Sequence, residues 1–241
     1  MREDRKYNQL RDVIIKTDFM ENALGSCLIE HGNTKVICSV SMDNNVPRWL
    51  KGSGKGWITA EYAMLPTSTH TRSERESTRG KLSGRTQEIQ RLIGRSLRNV
   101  CNLDILNEKL LKVDCDVLSA DGGTRTASIN GAWVALKLAT SRLIKDKSLK
   151  YQPVISGLTA VSCGILNNKV LIDLNYEEDS NAEADANFVF NSKKEIVEIQ
   201  CTGEKKSISE SLFFEMYKNS KEAVTKIFEV QKNALSLHEK K

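Results

Sequence analysis

Residues 113–128 combine features that strongly limit how this chain can fold. They read V-D-C-D-V-L-S-A-D-G-G-T-R-T-A-S, and the residues that follow are rich in alanine and leucine. Alternating polarity at the start predicts a strand, and the apolar run after the break predicts a long helix. Gly122 and Gly123 stand at the junction, where the lack of a side chain allows backbone N–H groups to converge. The sequence therefore predicts a strand that turns sharply into a helix.

The same junction suits a phosphate group. The first turn of a helix has N–H groups without a backbone acceptor and carries partial positive charge, and both favour an anion. Arg125 adds a full charge on a planar group that matches phosphate oxygens. The alternative is a tight turn with a threonine cap and a surface arginine, because glycine-rich turns before helices are common.

The composition is that of an ordinary soluble protein. With 241 residues, 39% hydrophobic and 28% charged, the chain can bury a substantial core. No apolar run approaches the roughly 20 residues of a membrane-spanning helix, and the charged stretch Met1–Lys6 lacks the apolar centre of a secretory signal. The six cysteines occur singly, without a C-x-x-C pair, as is typical of reduced thiols. We expect a cytoplasmic protein with neither a zinc site nor a membrane partner.

Positive charge is concentrated in one segment. The formal net charge is only +5, but residues 72–98 hold seven arginines and Lys81 against three glutamates. Such a segment attracts polyanions even when the whole chain is nearly neutral. The excess of arginine favours phosphate contact, and the alternative is an ordinary solvated face.

The order of apolar segments predicts an α+β fold in a single domain, residues 1–241. One helix is predicted after a Ser83 cap, and two more at Thr126–Lys145 and Ser209–Leu237. The polar, basic stretch Pro66–Gly84 is predicted to form a loop, or to be ordered only when a ligand is bound. Strands are predicted at Ser26–Ile29, Lys35–Val40, Trp57–Tyr62, Leu110–Leu118, Val154–Ile165, Val170–Leu174, Ala186–Phe190 and Glu195–Gln200.

Acidic side chains are crowded after one of these strands. Asp173–Asp185 contains six carboxylates in thirteen residues, which would repel one another unless they are solvated or compensated. Such hard oxygen ligands suit Mg²⁺ beside a phosphate pocket, whereas the alternative is a solvated acidic loop. Asp114 and Asp116 share one strand face by alternation, and we expect them to pair with nearby arginine or lysine rather than to catalyse.

Three longer motifs resemble those of the ribonuclease PH family. Residues 83–98 read S-G-R-T-Q-E-I-Q-R-L-I-G-R-S-L-R, and residues 114–117 and 120–128 read D-C-D-V and A-D-G-G-T-R-T-A-S. The third motif, E-D-S at 178–180, is followed by Asp185 and Asn187. The match is collinear from Arg2 to the terminal helix, and long motifs in a fixed order are far more specific than a single glycine turn.

The resemblance implies a phosphorolytic 3′→5′ exoribonuclease that trims tRNA precursors and other structured RNAs with 3′ extensions. Inorganic phosphate, as co-substrate, would attack the terminal phosphodiester and release a nucleoside 5′-diphosphate. The resemblance also implies the ribonuclease PH fold, of the ribosomal-protein-S5-like type, with mixed β-sheets, two core helices and a C-terminal helix. The implied assembly is a homohexamer made of three dimers.

The site residues of the family fall on matching positions of this chain. The resemblance implies that two carboxylates catalyse and hold Mg²⁺, that four residues bind phosphate, and that two arginines contact RNA. The two carboxylates are Asp179 and Asp185, and the arginines that contact RNA are Arg72 and Arg75. The residues that bind phosphate are Arg85, Gly123, Thr124 and Arg125. The sequence leaves open whether Asp185 holds the metal or donates a proton.

Two departures from the family pattern bear on RNA binding. The family usually has arginine after Leu-Pro, where this chain has Thr67, and its G-T-A-E-G segment is replaced by Cys201–Lys205. A rival interpretation is a non-catalytic RNA-binding subunit of an exosome-like ring, which predicts loss of phosphate or carboxylate positions that are all present here. A hydrolytic nuclease is a second rival, and it would need more carboxylates but no anion pocket.

Overall fold

Two β-sheets pack on either side of one long helix in a computed structural model of the chain, which describes residue 2 and residues 5–239. Met1, Glu3 and Asp4 belong to the charged N-terminal stretch and lie outside the described residues, as do Lys240 and Lys241. Within the described part, none of the helices combines the length and the apolar character needed to cross a membrane.

The first sheet has the strand order β1-β2-β3-β5-β4 and is mixed, because β4 runs parallel to β5 while the other neighbours are antiparallel. The predicted strand before the double glycine is its β5. On this strand Val113, Cys115 and Val117 are buried, and the aspartates between them point to the other face. The strands are β1 Val13–Thr17, β2 Gly25–His31, β3 Thr34–Asp43, β4 Trp57–Met64 and β5 Leu110–Ser119.

The helix predicted after Ser83 is confirmed as α2, Gly84–Asn99, which packs against β4. The Ser83 hydroxyl accepts the Thr86 N–H at 3.1 Å, as expected of an N-cap. The prediction that all of Pro66–Gly84 is loop is wrong, because Glu76–Arg79 forms a short helix, α1. Glu76 stabilises this turn by accepting hydrogen bonds from Thr86 Oγ1 and the Ser83 N–H.

The central helix, α3, spans Thr124–Lys145 and starts two residues before its predicted first residue, directly after the double glycine. It contacts β2 and β3 of the first sheet and β6 of the second. The buried Asn130 side chain on α3 both donates to the Ala160 carbonyl, at 2.9 Å, and accepts from the Ala160 N–H, at 2.7 Å. These paired bonds join α3 to the second sheet without leaving a buried polar group unsatisfied.

The second sheet is antiparallel throughout, with the order β7-β6-β8-β9, and α5 packs against it. The strand predicted from Val154 begins only at Leu158, because Ser156 and Gly157 interrupt the extended run and Val154 makes just an isolated bridge to Cys101. A short helix, α4, lies inside the acidic segment. The elements are β6 Leu158–Leu166, β7 Lys169–Ile172, α4 Tyr176–Asn181, β8 Ala184–Asn191, β9 Ile196–Gly203 and α5 Glu210–Glu239.

Candidate active site

One cleft of about 710 Å³ brings together six of the residues predicted to form the site. The starts of α2 and α3 meet α4 and strands β6, β8 and β9 of the second sheet there. The six are Arg85, Gly123, Thr124, Arg125, Asp179 and Asp185.

The glycine turn, which we define as Asp121–Gly123, has the backbone conformation that the sequence predicts. Gly122 and Gly123 have φ angles of 71° and 64°, in the left-handed region where residues with a side chain are strained. Among the described residues, no side chain caps α3, so the first N–H groups of this helix are available to a ligand in the cleft. Thr124 is fixed because its Oγ1 accepts the Tyr62 hydroxyl at 2.9 Å.

Contacts from other parts of the chain hold the glycine turn in place. Thr34 Oγ1 donates to the Gly122 carbonyl at 2.6 Å and accepts the Asp121 N–H at 2.9 Å. A Cβ on Gly122 would overlap the Leu174 carbonyl oxygen, so the turn packs directly against the chain that leads into α4. The glycine turn and the segment that leads into α4 are therefore in direct backbone contact.

Two arginines supply positive charge to the cleft. The Arg125 guanidinium donates to Gln200 Oε1 at 2.8 Å and lies 3.4 Å from Glu88 Oε1, which orients it across the floor of the cleft. Arg85 lies in the first turn of α2, is exposed, and has no ion pair with another described residue. Its charge is available to a ligand in the cleft.

Asp179 and Asp185 face these arginines from α4 and β8. Burial raises the pKa of Asp179, and Arg85 and Arg125 oppose that rise. Burial also raises the pKa of Asp185, and the negative charge of Asp179 raises it further. The ionised form of each carboxylate is therefore less favoured than in free solution, and a cation bound beside them would offset this.

Two other acidic residues of this segment, Asp173 and Glu178, are buried and paired rather than solvated. Asp173 is buried and accepts hydrogen bonds from Arg11, with 2.7 Å between Nη2 and Oδ1. Its Oδ2 lies 3.1 Å from His31 Nε2. Glu178 is paired with Arg2 at 2.6 Å and with Arg5 at 3.0 Å.

The sequence reasoning missed the three arginines, Arg2, Arg5 and Arg11. These residues lie near the start of the chain, more than 160 residues before the carboxylates that they pair with, and no local pattern links them. The one available signal was indirect: six carboxylates in thirteen residues need compensating charge from elsewhere.

Two buried polar residues of β6 and β8 also line the cleft, Ser162 and Asn187. Their backbones pair directly across the sheet. Ser162 Oγ has no hydrogen-bond partner among the described residues and lies 3.4 Å from where a Cβ on Gly123 would stand. Ser162 was not found from the sequence, because a serine within a long apolar strand has no distinctive pattern.

The two arginines predicted to contact RNA lie outside this cleft. Arg72 and Arg75 are exposed on the loop after β4, and Arg75 lines a separate hollow together with Asp114 and Asp116. The expected pairing of these aspartates with a cation is not found, because neither forms an ion pair with a described residue. Burial raises the pKa of both, and neighbouring Glu61 raises it further.

The segment Cys201–Lys205, whose sequence departs from the family pattern, forms a hydrogen-bonded turn. The N–H groups of Glu204 and Lys205 both donate to the Glu183 carbonyl, at 3.0 and 2.9 Å. Lys205, where the family has glycine, donates from Nζ to the Asn181 carbonyl at 2.9 Å and lines the cleft. The substitution therefore adds a positive charge at the rim.

Comparison with known proteins agrees with this geometry. The pattern of the 3′ exoribonuclease family matches in two parts, its domain 1 over residues 9–141 and its domain 2 over residues 158–223. The chain belongs to this family. The ribonuclease PH of Caulobacter vibrioides is 51% identical over 232 residues, covering 96% of this chain and 98% of the relative. That of Maricaulis maris is 52% identical over 231 residues, covering 96% and 97%.

Solved structures at much lower identity have the same fold. The rice (Oryza sativa) protein Rrp46 superposes with a TM-score of 0.78 at 21% identity, covering 96% of this chain and 98% of its own. The Archaeoglobus fulgidus exosome with RNA bound to the active site contains a chain with a TM-score of 0.78 at 23% identity, covering 93% and 90%. The predicted fold class is confirmed.

The activity follows from the closely related members of the family. This chain is a phosphorolytic tRNA 3′ exoribonuclease of the ribonuclease PH type, a nucleotidyltransferase for which inorganic phosphate is a substrate.

Proposed function

We propose that phosphorolysis takes place in the cleft between the glycine turn and α4, and that it releases nucleoside 5′-diphosphates one at a time. The observation that carries this proposal is the opposed arrangement of two arginines and an uncapped helix start against two carboxylates. Two anions, the attacking phosphate and the scissile diester, must meet in this reaction. Positioning and charge stabilisation account for most of the catalysis of such transfers.

Arg85 and Arg125, with the N–H groups that follow Gly123, hold the attacking phosphate. One phosphate oxygen forms a bond to the phosphorus of the terminal diester, while the bond from that phosphorus to the upstream 3′-oxygen breaks. The shortened RNA keeps the 3′-oxygen, which takes up a proton, and the terminal nucleotide leaves as a diphosphate. Orienting Arg125 through Gln200 prepares this geometry before substrate binds.

Asp179 and Asp185 fit a role in holding Mg²⁺, which typically takes one or two carboxylates and completes its shell with water and substrate phosphates. Both are hard oxygen ligands, and each raises the energy of the other when both are ionised. The described residues contain no group of three or more His, Cys, Asp or Glu side chains arranged for a metal, so substrate oxygens would supply further ligands. When bound, the ion would neutralise charge on the diester and on the departing oxygen.

We propose that Arg72 and Arg75 contact the backbone of tRNA precursors outside the cleft. Their exposure supports this role, and such contacts are sequence-independent and sensitive to salt. The 3′ end would enter the cleft as a single strand. We further propose one structural domain over residues 1–241, a homohexamer of three dimers and a cytoplasmic location. The proposal of a single domain is supported by the hydrogen bonds of Asn130, which join α3 to the second sheet.

The test is incubation of the purified protein with 3′-extended tRNA and Mg²⁺, with and without phosphate. We expect nucleoside diphosphates only when phosphate is present. Release of monophosphates would indicate hydrolysis, and no release would favour a non-catalytic ring subunit. Light scattering on the same preparation tests the hexamer.

A further inference from the structure

An exposed aromatic pair lies beside the cleft and has no role in phosphate or carboxylate chemistry. Tyr176, the first residue of α4, is 50% exposed. Its ring lies 5.2 Å from that of His70, with the planes tilted by 54°. His70 is also exposed and belongs to the loop that carries Arg72 and Arg75.

The backbone fixes this pair relative to the reacting groups. Tyr176 precedes Asp179 by three residues and Ser180 by four, and residues at those spacings lie on one helix face with about 5–6 Å between β-carbons. Asp179 and Ser180 both line the cleft. The Tyr176 N–H also donates to Asp121 Oδ1 at 3.0 Å, which ties the residue to the glycine turn.

The loop with His70 is joined to the same turn. The Ala120 N–H donates to the Ser68 carbonyl at 2.8 Å. Ser68 lies two residues before His70, and Ala120 lies directly before Asp121. The aromatic pair is therefore tied to the glycine turn of the cleft, and His70 shares its loop with the two arginines. An RNA strand that reached from those arginines to the carboxylates would pass close to this pair.

We infer that Tyr176 and His70 form a stacking platform for an unpaired base near the 3′ end of the RNA. This inference rests on the proposed function, because it takes the cleft as the site of the reacting diester. Exposed aromatic rings beside cationic side chains are typical of single-strand binding, since every base has a face that can stack. The platform binds bases regardless of identity, as trimming of variable 3′ tails requires.

The test measures steady-state kinetics at saturating phosphate on an unstructured oligoribonucleotide, and its affinity by fluorescence anisotropy without phosphate. We expect Tyr176→Ala to raise the KM for RNA about tenfold, the usual loss for one stacked base, with the KM for phosphate unchanged. Tyr176→Phe should retain the wild-type KM, because stacking does not need the hydroxyl. Tyr151→Ala is the matched control, since Tyr151 is 59% exposed and lies outside the cleft.

Substrates with one abasic ribonucleotide at the terminal, second or third position identify the stacked base. At that position the wild type should lose about tenfold in affinity and Tyr176→Ala should lose nothing further. An equal further loss in both proteins at all three positions would overturn the inference. An unchanged KM for RNA in Tyr176→Ala would also overturn it. So would a change in the oligomeric state of Tyr176→Ala without a change in its affinity for RNA.

One further measurement keeps the outcome decisive. If Tyr176→Ala does not fold, His70→Ala is measured against the same substrates, and it should also weaken binding of the intact strand more than of the abasic one. Failure of the proposed function is recognised separately, because the wild type would then release no diphosphate while the anisotropy comparison still reports on stacking.

Discussion

Arg11 joins the two sides of the cleft through Asp173. Its Nη2 lies 2.7 Å from Asp173 Oδ1, and its Nη1 donates to the Asp121 carbonyl at the start of the glycine turn. Both side chains are almost fully buried. One ion pair therefore sets the position of the glycine turn relative to the chain that leads into α4.

Replacing Arg11 by methionine should affect both stability and phosphate binding. The variant leaves Asp173 buried with His31 as its nearest partner, and removing one member of a buried pair typically costs about 3–5 kcal/mol. We expect that loss in urea unfolding, together with a raised KM for phosphate. Arg142→Met is the control, because exposed Arg142 makes one bond, to the Ala23 carbonyl. A phosphate KM that did not change in Arg11→Met would show that the turn keeps its position without this anchor.

Asp173 should also produce a distinct acid sensitivity. Burial alone would raise the pKa of Asp173, but His31 and Arg11 outweigh burial and hold it well below the ordinary value of 3.8. The resulting stability is present above pH 3.8 and is lost as the pH falls towards the folded-state pKa. Melting temperatures between pH 2.5 and 7 should fall less steeply for Asp173→Asn than for the wild type below about pH 4. Asp104→Asn, at an exposed carboxylate, should keep the wild-type slope.

Arg125→Ala should abolish phosphorolysis at ordinary phosphate concentrations while RNA binding stays near normal. The guanidinium faces the cleft beside the uncapped start of α3, so its loss removes a charge that holds phosphate. The measurement is turnover against phosphate concentration, with RNA affinity measured separately. Arg95→Ala is the control, because Arg95 pairs with Glu198 outside the cleft. Near-normal turnover in Arg125→Ala would remove this residue from the phosphate site.

The cleft shows where local sequence patterns are sufficient. A strand, two glycines and a helix start are contiguous, and their geometry depends on backbone freedom at Gly122 and Gly123, so the turn was predictable. The Ser83 cap was predictable for the same reason. The network around Asp173 was not, because its partners Arg11 and His31 lie far earlier in the chain and no local pattern links them to it.

The acidic segment shows the limit of reasoning from charge density alone. Its six carboxylates separate into different environments: Glu178 pairs with Arg2, Glu183 with Lys206, and Asp179 faces the cleft. This division depends on the short helix α4, which Asn175 caps through a capping box with Glu178. No apolar periodicity marks so short a helix, so charge density did not indicate which carboxylates point into the cleft; the family resemblance alone singled out Asp179 and Asp185.

Asp185→Asn should lower turnover by orders of magnitude and, without added metal, raise the melting temperature at pH 7. Burial and the charge of Asp179 raise the folded-state pKa of Asp185 above the ordinary 3.8, so its ionised form destabilises the folded state above pH 4. The neutral amide removes that cost. Asp179→Asn should lose comparable activity. Full recovery of Asp185→Asn in excess Mg²⁺ would assign it to metal binding alone, and normal activity in both variants would remove them from catalysis.

Thr67→Arg should strengthen tRNA binding without changing the chemistry. Thr67 is exposed on the loop that carries Arg72 and Arg75, and arginine there restores the charge that the family usually has. One more neutralised phosphate should steepen the slope of log affinity against log salt by roughly 0.7 to 0.9. Turnover at saturating RNA should hardly change, because the added contact exists equally before and during the transition state. Thr67→Gln is the uncharged control and should leave the slope unchanged. If Thr67→Arg leaves both slope and affinity as they are, position 67 does not face the RNA backbone, and the loop approaches tRNA through Arg72 and Arg75 alone.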